Sequence, residues 1–285
     1  MSQDAQFGKP LAPPLPFGNL LKFWRAVYGL SQETLAYAID SSPRHISRME
    51  NGHVHPSMEM VNKLAHKLGL LERDTHHLLI AAGFITQPAK VDFHSAELKW
   101  LRKAMKLPLR ALDPYPSVLI NSSGKIMMVN EGWVNFYTPM VGHNALTGVS
   151  NHFDFLFSLH NNQPASGALQ DALSLILMSM QQEVLLRPDA DIEALLERLM
   201  RTNAVPDNWA QRAAQLAPMA SFRIELEIEG KLQRFFSVSQ TVGALGPNAY
   251  VSEPRLTINT LYPEDDDATP MSPVTRHVHH PRLFY

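Results

Sequence analysis

The sequence predicts an α+β chain: an N-terminal all-α domain of five short helices, then an α+β domain built on an antiparallel sheet. Three observations carry this. Residues 31–57 hold two short helical patterns that meet across a four-residue break, with serines at the helix starts. Residues 222–230, Phe-Arg-Ile-Glu-Leu-Glu-Ile-Glu-Gly, alternate strictly, which is the period of a half-buried strand. Behind the helical N-terminus come two short apolar runs, a helical middle and three strand-like runs, in that order.

The first helix reads from Phe17 to Tyr28 and stops at Gly29, a C-terminal signal. The second starts at Ser31, a good N-cap, with Thr34 where a capping box prefers Glu or Gln. The third starts at Ser42, with Pro43 at the first helical position, where its missing N–H costs nothing. The fourth runs from Ser57 to about Leu68 and closes at Gly69; the fifth runs from Asp74 to about Ala82 and closes at Gly83. Leu35, Ile39, Ile46 and Met49 fall at core spacing, and Ala36 is small where two helices would cross. This is the pattern of a helix-turn-helix, whose second helix enters the DNA major groove.

The stretch from 17 to about 83 resembles the XRE, or lambdoid-repressor-like, family of helix-turn-helix domains. Asp40 stands where that family usually has Gly, and Asp tolerates a left-handed conformation better than most residues. Arg44, His45 and Arg48 cluster at the start of the third helix, and Arg pairs bidentately with guanine. The resemblance places Gln32 and Asn51 at phosphate-contacting positions, and Arg25 and Glu50 at an internal ion pair with a structural role. The expected DNA-contacting set is Gln32, Ser42, Pro43, Arg44, His45, Ser47, Arg48 and Asn51.

Composition sets the bounds. The 285 residues suggest about two domains. Formal net charge is −2, so this is no generally basic nucleic-acid coat. Residues 17–85 carry seven Lys/Arg and six Asp/Glu, which leaves +1. A near-neutral reader needs more than one copy for useful affinity, because phosphate neutralisation supplies much of binding; a homodimer on double-stranded operator DNA is expected. Cysteine is absent, which removes disulfides, thiolate nucleophiles and Cys-ligated metal sites. No apolar run reaches the length of a membrane span, and no signal pattern opens the chain, so a cytoplasmic protein without a membrane partner is expected.

Expected boundaries are 17–85 for the reader, 86–111 for a linker and connecting helix, 112–263 for the second domain and 264–285 for a disordered tail. The connecting helix reads from about Ser95 to Met105, with Leu98, Leu101 and Met105 on one face and Lys99, Arg102, Lys103 and Lys106 on the other. Residues 116–121 and 126–130 read as a hairpin around Ser122-Ser123-Gly124. A long helix follows over Gly167–Leu186, with Leu169, Leu173, Ile176, Leu177 and Met180 at helical spacing, and another over 191–202. Strands at 222–230, 231–242 and 255–262 complete the chain. Two strands, a helical middle and three strands is the order of a PAS-like sensor fold, with helices covering a face of one antiparallel sheet.

Residues 112–130 resemble the start of the ligand-binding domain of MmyB-like transcription regulators, and residues 255–265 resemble its last strand. In that family an XRE reader precedes a PAS-like domain, as in this chain. The resemblance implies a hydrophobic pocket, with fatty-acid-like ligands in some members; which ligand this chain prefers does not carry over, and no other cofactor is expected. Chemistry selects Trp133, Phe136, Phe153, Phe157 and Met178 on the helical side, and Leu119, Val129, Phe222, Ile224 and Phe236 on the sheet, as pocket residues or ordinary core. His152 and His160 are candidate metal or haem ligands, but a lone histidine is more often just hydrogen-bonded. His277, His279 and His280 lack supporting ligands nearby and read as solvated tail. No nucleophile–base pair, phosphate-binding glycine loop or metal-ligand set appears, so no catalytic or metal site is assigned and an enzyme is not expected. The expected function is a DNA-binding transcriptional regulator that senses a small apolar ligand. The rival is a DNA-bound protein whose second domain only dimerises or docks a protein.

Overall fold

The computed structural model describes residues 16–84, 92–160, 166–216, 221–228, 230–242, 255–265 and 280–283. The chain separates into two compact units, with the described residues 16–84 in the first and those from 92 onward in the second.

The first unit is five helices: α1 (Pro16–Val27), α2 (Gln32–Ala38), α3 (Pro43–Glu50), α4 (Met58–Lys67) and α5 (Glu72–Ala81). Ser31, Ser42 and Ser57 cap α2, α3 and α4, each accepting the backbone N–H three residues on. These bonds satisfy donors that the first helical turn leaves orphaned. The turn between α2 and α3 bends at Asp40, whose φ is +52°. Helix α5 begins two residues before the expected start: Leu71 is the N-cap without a side-chain bond, and Asp74 lies buried in the first turn beside Arg73. The core stripe of Leu21, Leu35, Ala36, Ile39, Ile46, Met49, Val61, Leu64 and Leu78 is fully buried. Gly18 lets α1 approach the end of α3, because a Cβ there would overlap the carbonyl oxygens of Met49 and Glu50.

The second unit opens with α6 (Lys99–Ala111), then β1 (Ser117–Asn121) and β2 (Ile126–Val129). Six helices follow: α7 (Glu131–Val141), α8 (His143–Gly148), α9 (His152–His160), α10 (Gly167–Leu186), α11 (Ala190–Met200) and α12 (Trp209–Gln215). The strands β3 (Ser221–Ile228), β4 (Lys231–Val242) and β5 (Leu256–Pro263) complete one antiparallel sheet in the order β2-β1-β5-β4-β3. The fold is therefore α+β, an all-helical unit followed by a sheet-and-helix unit.

Where β2, β1 and β5 lie, both faces of this sheet are covered. Val118, Ile120, Val129, Ile224, Leu226 and Phe235 face a core shared with α7 and α9–α11. Leu119, Met128, Leu256 and Ile258 face the other way, against Leu101, Met105 and Leu109 of α6. The connecting helix is thus a layer of the second unit. It starts at Lys99 and runs past Pro108 to Ala111, beyond the 95–105 range read from sequence. A proline removes one helical hydrogen bond and disfavours the helix around it, but fully buried Leu109 holds the last turn against the sheet. Residue 85 of the expected reader and residues 86–91 of the expected linker lie outside the described residues.

The tail also departs from expectation at its end. His280 is buried, its Nε2 lies 3.2 Å from the Leu146 carbonyl, and its ring meets Trp133 edge-on at 5.4 Å. Arg282 accepts from the Val129 backbone N–H at 3.0 Å and donates from Nη1 to the Val149 carbonyl. Leu283 pairs in parallel with Val129 at the sheet edge. Burial pushes the His280 imidazole below its ordinary range, against the upward pull of the Leu146 carbonyl. The acidic start of the tail masks this C-terminal packing when composition alone is read.

Candidate nucleic-acid interface and second-unit core

Helix α3 is short, and its buried side is Ile46, Met49 and Glu50. That leaves the opposite side to Pro43, Arg44 and Arg48, which are exposed, and to His45 and Ser47, which are half-buried. Arg44 and Arg48 stand four residues apart and so share a face. Neither side chain has a hydrogen-bond or ion-pair partner among the described residues, and both project into solvent. Ser42 holds the start of this helix by accepting the His45 backbone N–H at 3.2 Å. Such a helix presents side chains at its N-terminal half, the part that reads base edges in a groove.

Two of the expected DNA-contacting residues have internal duties. The Gln32 side-chain amide donates to Glu50 Oε2 at 2.7 Å. Asn51 ends α3, its backbone N–H and its side-chain amide both donating to the Ser47 carbonyl. Glu50 is the hub behind them. Its side chain is only 2% exposed, and the Arg25 guanidinium grips it in fork geometry, Nε to Oε1 at 2.6 Å and Nη2 to Oε2 at 3.1 Å. The hydrogen bond to Glu50 raises the Arg25 pKa further above its ordinary value, against the cost of burial. Arg25 also donates to the Leu30 carbonyl at 2.8 Å, so one ion pair ties α1, α2 and α3 behind the reading helix. Sequence reading passed over Tyr37, which is 78% exposed on α2. Its off-stripe position beside buried Leu35 and Ala36 was the available signal.

In the second unit the expected pocket residues divide. Trp133 and Phe157 are fully buried, and Phe136 and Phe153 are partly buried, all in the core between sheet and helices with Val129 and Ile224. Three residues need correction. Phe236 is exposed and Phe235 is buried, because Ile224 pairs with Phe235 and a one-residue step flips a strand side chain to the other face. Leu119 is buried on the α6 side, away from the aromatic residues. Four consecutive buried residues in β1, Ser117 to Ile120, hide the alternation, as happens where a sheet is covered on both faces. Met178 is half-buried, off the stripe of α10, and Leu177 and Met180 take the inward positions. Nothing is described of the Phe222 and His160 side chains.

The aromatic residues pack by edges. Tyr137 meets Phe155 at 4.9 Å and 83°, Phe136 meets Phe235 at 5.3 Å and 81°, and Trp133 lies 5.4 Å from Tyr137. Trp133 Nε1 and His152 Nδ1 are buried polar atoms with no partner among the described residues. Burial lowers the His152 pKa to about 4, so the ring is neutral at ordinary pH. Burial likewise raises the Tyr137 hydroxyl well above its ordinary range. Asn130 ties the layers. Fully buried, it accepts the backbone N–H groups of Ser117 and Trp133, both at 2.9 Å, and donates to the Tyr115 carbonyl at 2.8 Å. Among the described residues no three His, Asp or Glu side chains converge on a common point, and no helix is long and apolar enough to cross a membrane.

The helix-turn-helix family (HTH_3) matches residues 21–74, from within α1 to the start of α5. Residues 21–74 are a helix-turn-helix domain. Among solved structures, the clp gene regulator ClgR from C. glutamicum is 30% identical, matching 24% of this chain and 86% of its own, with a TM-score of 0.22. PlcR of Bacillus thuringiensis, solved with the peptide PapR7 and DNA, is 16% identical, matching 66% of each chain with a TM-score of 0.24. ComR from Streptococcus suis is 11% identical, matching 65% of this chain and 66% of its own with a TM-score of 0.21. No curated protein matches the chain.

Proposed function

We propose that this chain is a DNA-binding transcriptional regulator that reads a specific duplex site with Arg44 and Arg48, and that its second unit is a PAS-like, MmyB-like sensor for a small apolar, fatty-acyl ligand. The observation that carries the first part is the free pair of cations on the Ser42-capped helix α3. At least one of them contacts guanine, with Ser42, Pro43, His45 and Ser47 beside it and Gln32 and Asn51 at the phosphate margin. The Arg44→Ala substitution is expected to cost about 1–3 kcal/mol on the specific site and much less on random DNA. The measurement is a pair of binding isotherms at one salt concentration; equal losses on both duplexes would reduce the arginines to phosphate contacts. The reader is a dimer with half-sites about one helical turn apart, roughly 34 Å, and footprinting joined to light scattering tests this.

The sensor reading is supported by the strand order β2-β1-β5-β4-β3, by six helices inserted between β2 and β3, and by a core rich in aromatic side chains. An acyl chain would lie between the sheet and α10, against Leu177 and Met180. Ligand and operator DNA must then affect each other's binding by the same factor, since coupling free energy is reciprocal. The full chain is titrated with long-chain fatty acids, with and without operator, and small molecules released from purified protein are identified by mass spectrometry. Binding that leaves both affinities unmoved removes the switch. A second reading, in which this unit only docks or dimerises, is favoured by the edge-to-face packing of Phe136, Tyr137, Phe155 and Phe235, with Trp133 tilted against Phe155. No apolar ligand in wild type would select it.

A further inference from the structure

The strongest unabsorbed feature lies on α6. Its thirteen residues include Lys99, Arg102, Lys103, Lys106 and Arg110, and no acidic residue. The inner face, Leu101, Met105 and Leu109, is spent on the sheet. Arg102 is accounted for: its Nη1 donates to the carbonyls of Phe93 and Ser95 and closes the turn that leads into the helix. The outer face remains. At about 100° per residue, Trp100, Ala104, Leu107 and Ala111 form one apolar stripe, and Lys99, Lys103, Lys106 and Arg110 form a basic arc along one flank of it.

This arrangement does not serve the helix. Lys99 and Lys103 are like charges four apart, which weakens a helix. Lys99 also sits in the first turn, where the macrodipole favours an anion. The apolar stripe is left in water: Trp100 is 74% exposed and Leu107 67% exposed, one at each end of two helical turns. Lys103 Nζ lies 5.5 Å from the Trp100 ring centroid, so a cation borders the aromatic anchor. Small Ala104 between Trp100 and Leu107 leaves a shallow seat for a large side chain from outside. Exposed aromatic and aliphatic anchors beside one-sided charge are the make-up of a helix-in-groove or helix-on-helix contact.

We infer that the outer face of α6 is a docking surface for an acidic amphipathic helix of another protein. Its apolar residues cover Trp100, Ala104 and Leu107, and its carboxylates, along one edge, meet Lys99 and Lys103. The choice of occupant rests on complementarity. A second copy of α6 brings five cations and no carboxylate to neutralise them. A phosphate backbone would satisfy the lysines but has no apolar surface to remove Trp100 and Leu107 from water. This surface uses no residue of the reading helix α3 or of the proposed ligand core, and the inference stands whether or not that core holds a ligand.

The test uses the full chain and a synthetic N-acetylated peptide of about four helical turns, with Leu on one face and Glu along one flank, beside a scrambled peptide of the same composition. Wild type is expected to bind the first peptide saturably and the scrambled one at least about tenfold more weakly. The Trp100→Ala/Leu107→Ala pair and Lys103→Glu should each weaken binding about tenfold or more, a loss that rising salt reproduces for the charged flank alone. All three positions are exposed, and unchanged thermal melting of each variant certifies the fold. The proposal is overturned if the designed peptide does not bind or binds no better than its scramble. It is equally overturned if these substitutions spare peptide binding but weaken binding to non-operator duplex or to phosphatidylglycerol vesicles. A fall in solution mass on Leu107→Ala would assign the face to a second copy instead.

Discussion

The two units each organise themselves around one buried polar side chain, but of opposite character. In the helical unit it is a charge: Glu50, held by the Arg25 fork and the Gln32 amide. In the sheet unit it is a neutral amide: Asn130, accepting from Ser117 and Trp133 and donating to Tyr115. A buried charge is tolerable only while its partner stays, because desolvation makes an unpaired ion costly. A buried amide loses hydrogen bonds one at a time, each of modest net worth. The difference teaches that the reader's geometry hangs on one ion pair directly behind α3, whereas the second unit spreads the same task over separate bonds.

Removing one ion should therefore give the largest effect. The Arg25→Met substitution leaves the Glu50 carboxylate buried without its cation and is expected to destabilise the helical unit by about 3–5 kcal/mol. Chemical unfolding of the full chain, followed by helical signal, measures it. A loss below about 1 kcal/mol would mean that Glu50 is hydrated in solution and that the contrast with Asn130 is false.

The second unit has its own sensitivity, to acid. His152 is buried and its pKa is lowered to about 4, while the unfolded chain carries an ordinary histidine near 6.5. The folded value lies below the unfolded one, so the unfolded state binds the extra proton first. The contribution of neutral His152 is fully present above pH 6.5 and is lost as pH falls towards 4. The total is about 3 kcal/mol. Stability measured across that window should decline, and His152→Leu should flatten the decline. An unchanged slope would place the titration elsewhere.

The amide hub should cost less than the ion. The Asn130→Ala substitution leaves the Ser117 and Trp133 backbone N–H groups without their acceptor, and an expected loss of about 2–3 kcal/mol follows from the price of unsatisfied buried donors. Because no charge is involved, this loss should be the same in low and high salt. The smallest effect is expected at the turn. Asp40 holds φ +52° and pairs with Lys63 across solvent at 3.4 Å, an exposed contact of little worth. The Asp40→Gly substitution should stabilise by about 0.5–1 kcal/mol through relief of the left-handed backbone. A loss instead would show that the Lys63 contact or chain entropy dominates.

What the sequence determined by itself is local. The Ser31, Ser42 and Ser57 caps, the glycine stops and the 3.6-residue stripe of α10 are read from neighbours a few residues away, and those elements lie where the spacing puts them. The helix-turn-helix was legible for the same reason, since its geometry is written in one short segment. Faces and registers were left to the tertiary structure. Phe235 rather than Phe236 points inward because β4 pairs with β3 in one register, and Leu119 faces α6 because the sheet is covered on both sides. His280 is buried only because a sheet edge 151 residues earlier, at Val129, offers its backbone to the chain's end. Such choices depend on partners distant in sequence, and period-two patterning carries no mark of which face meets which layer.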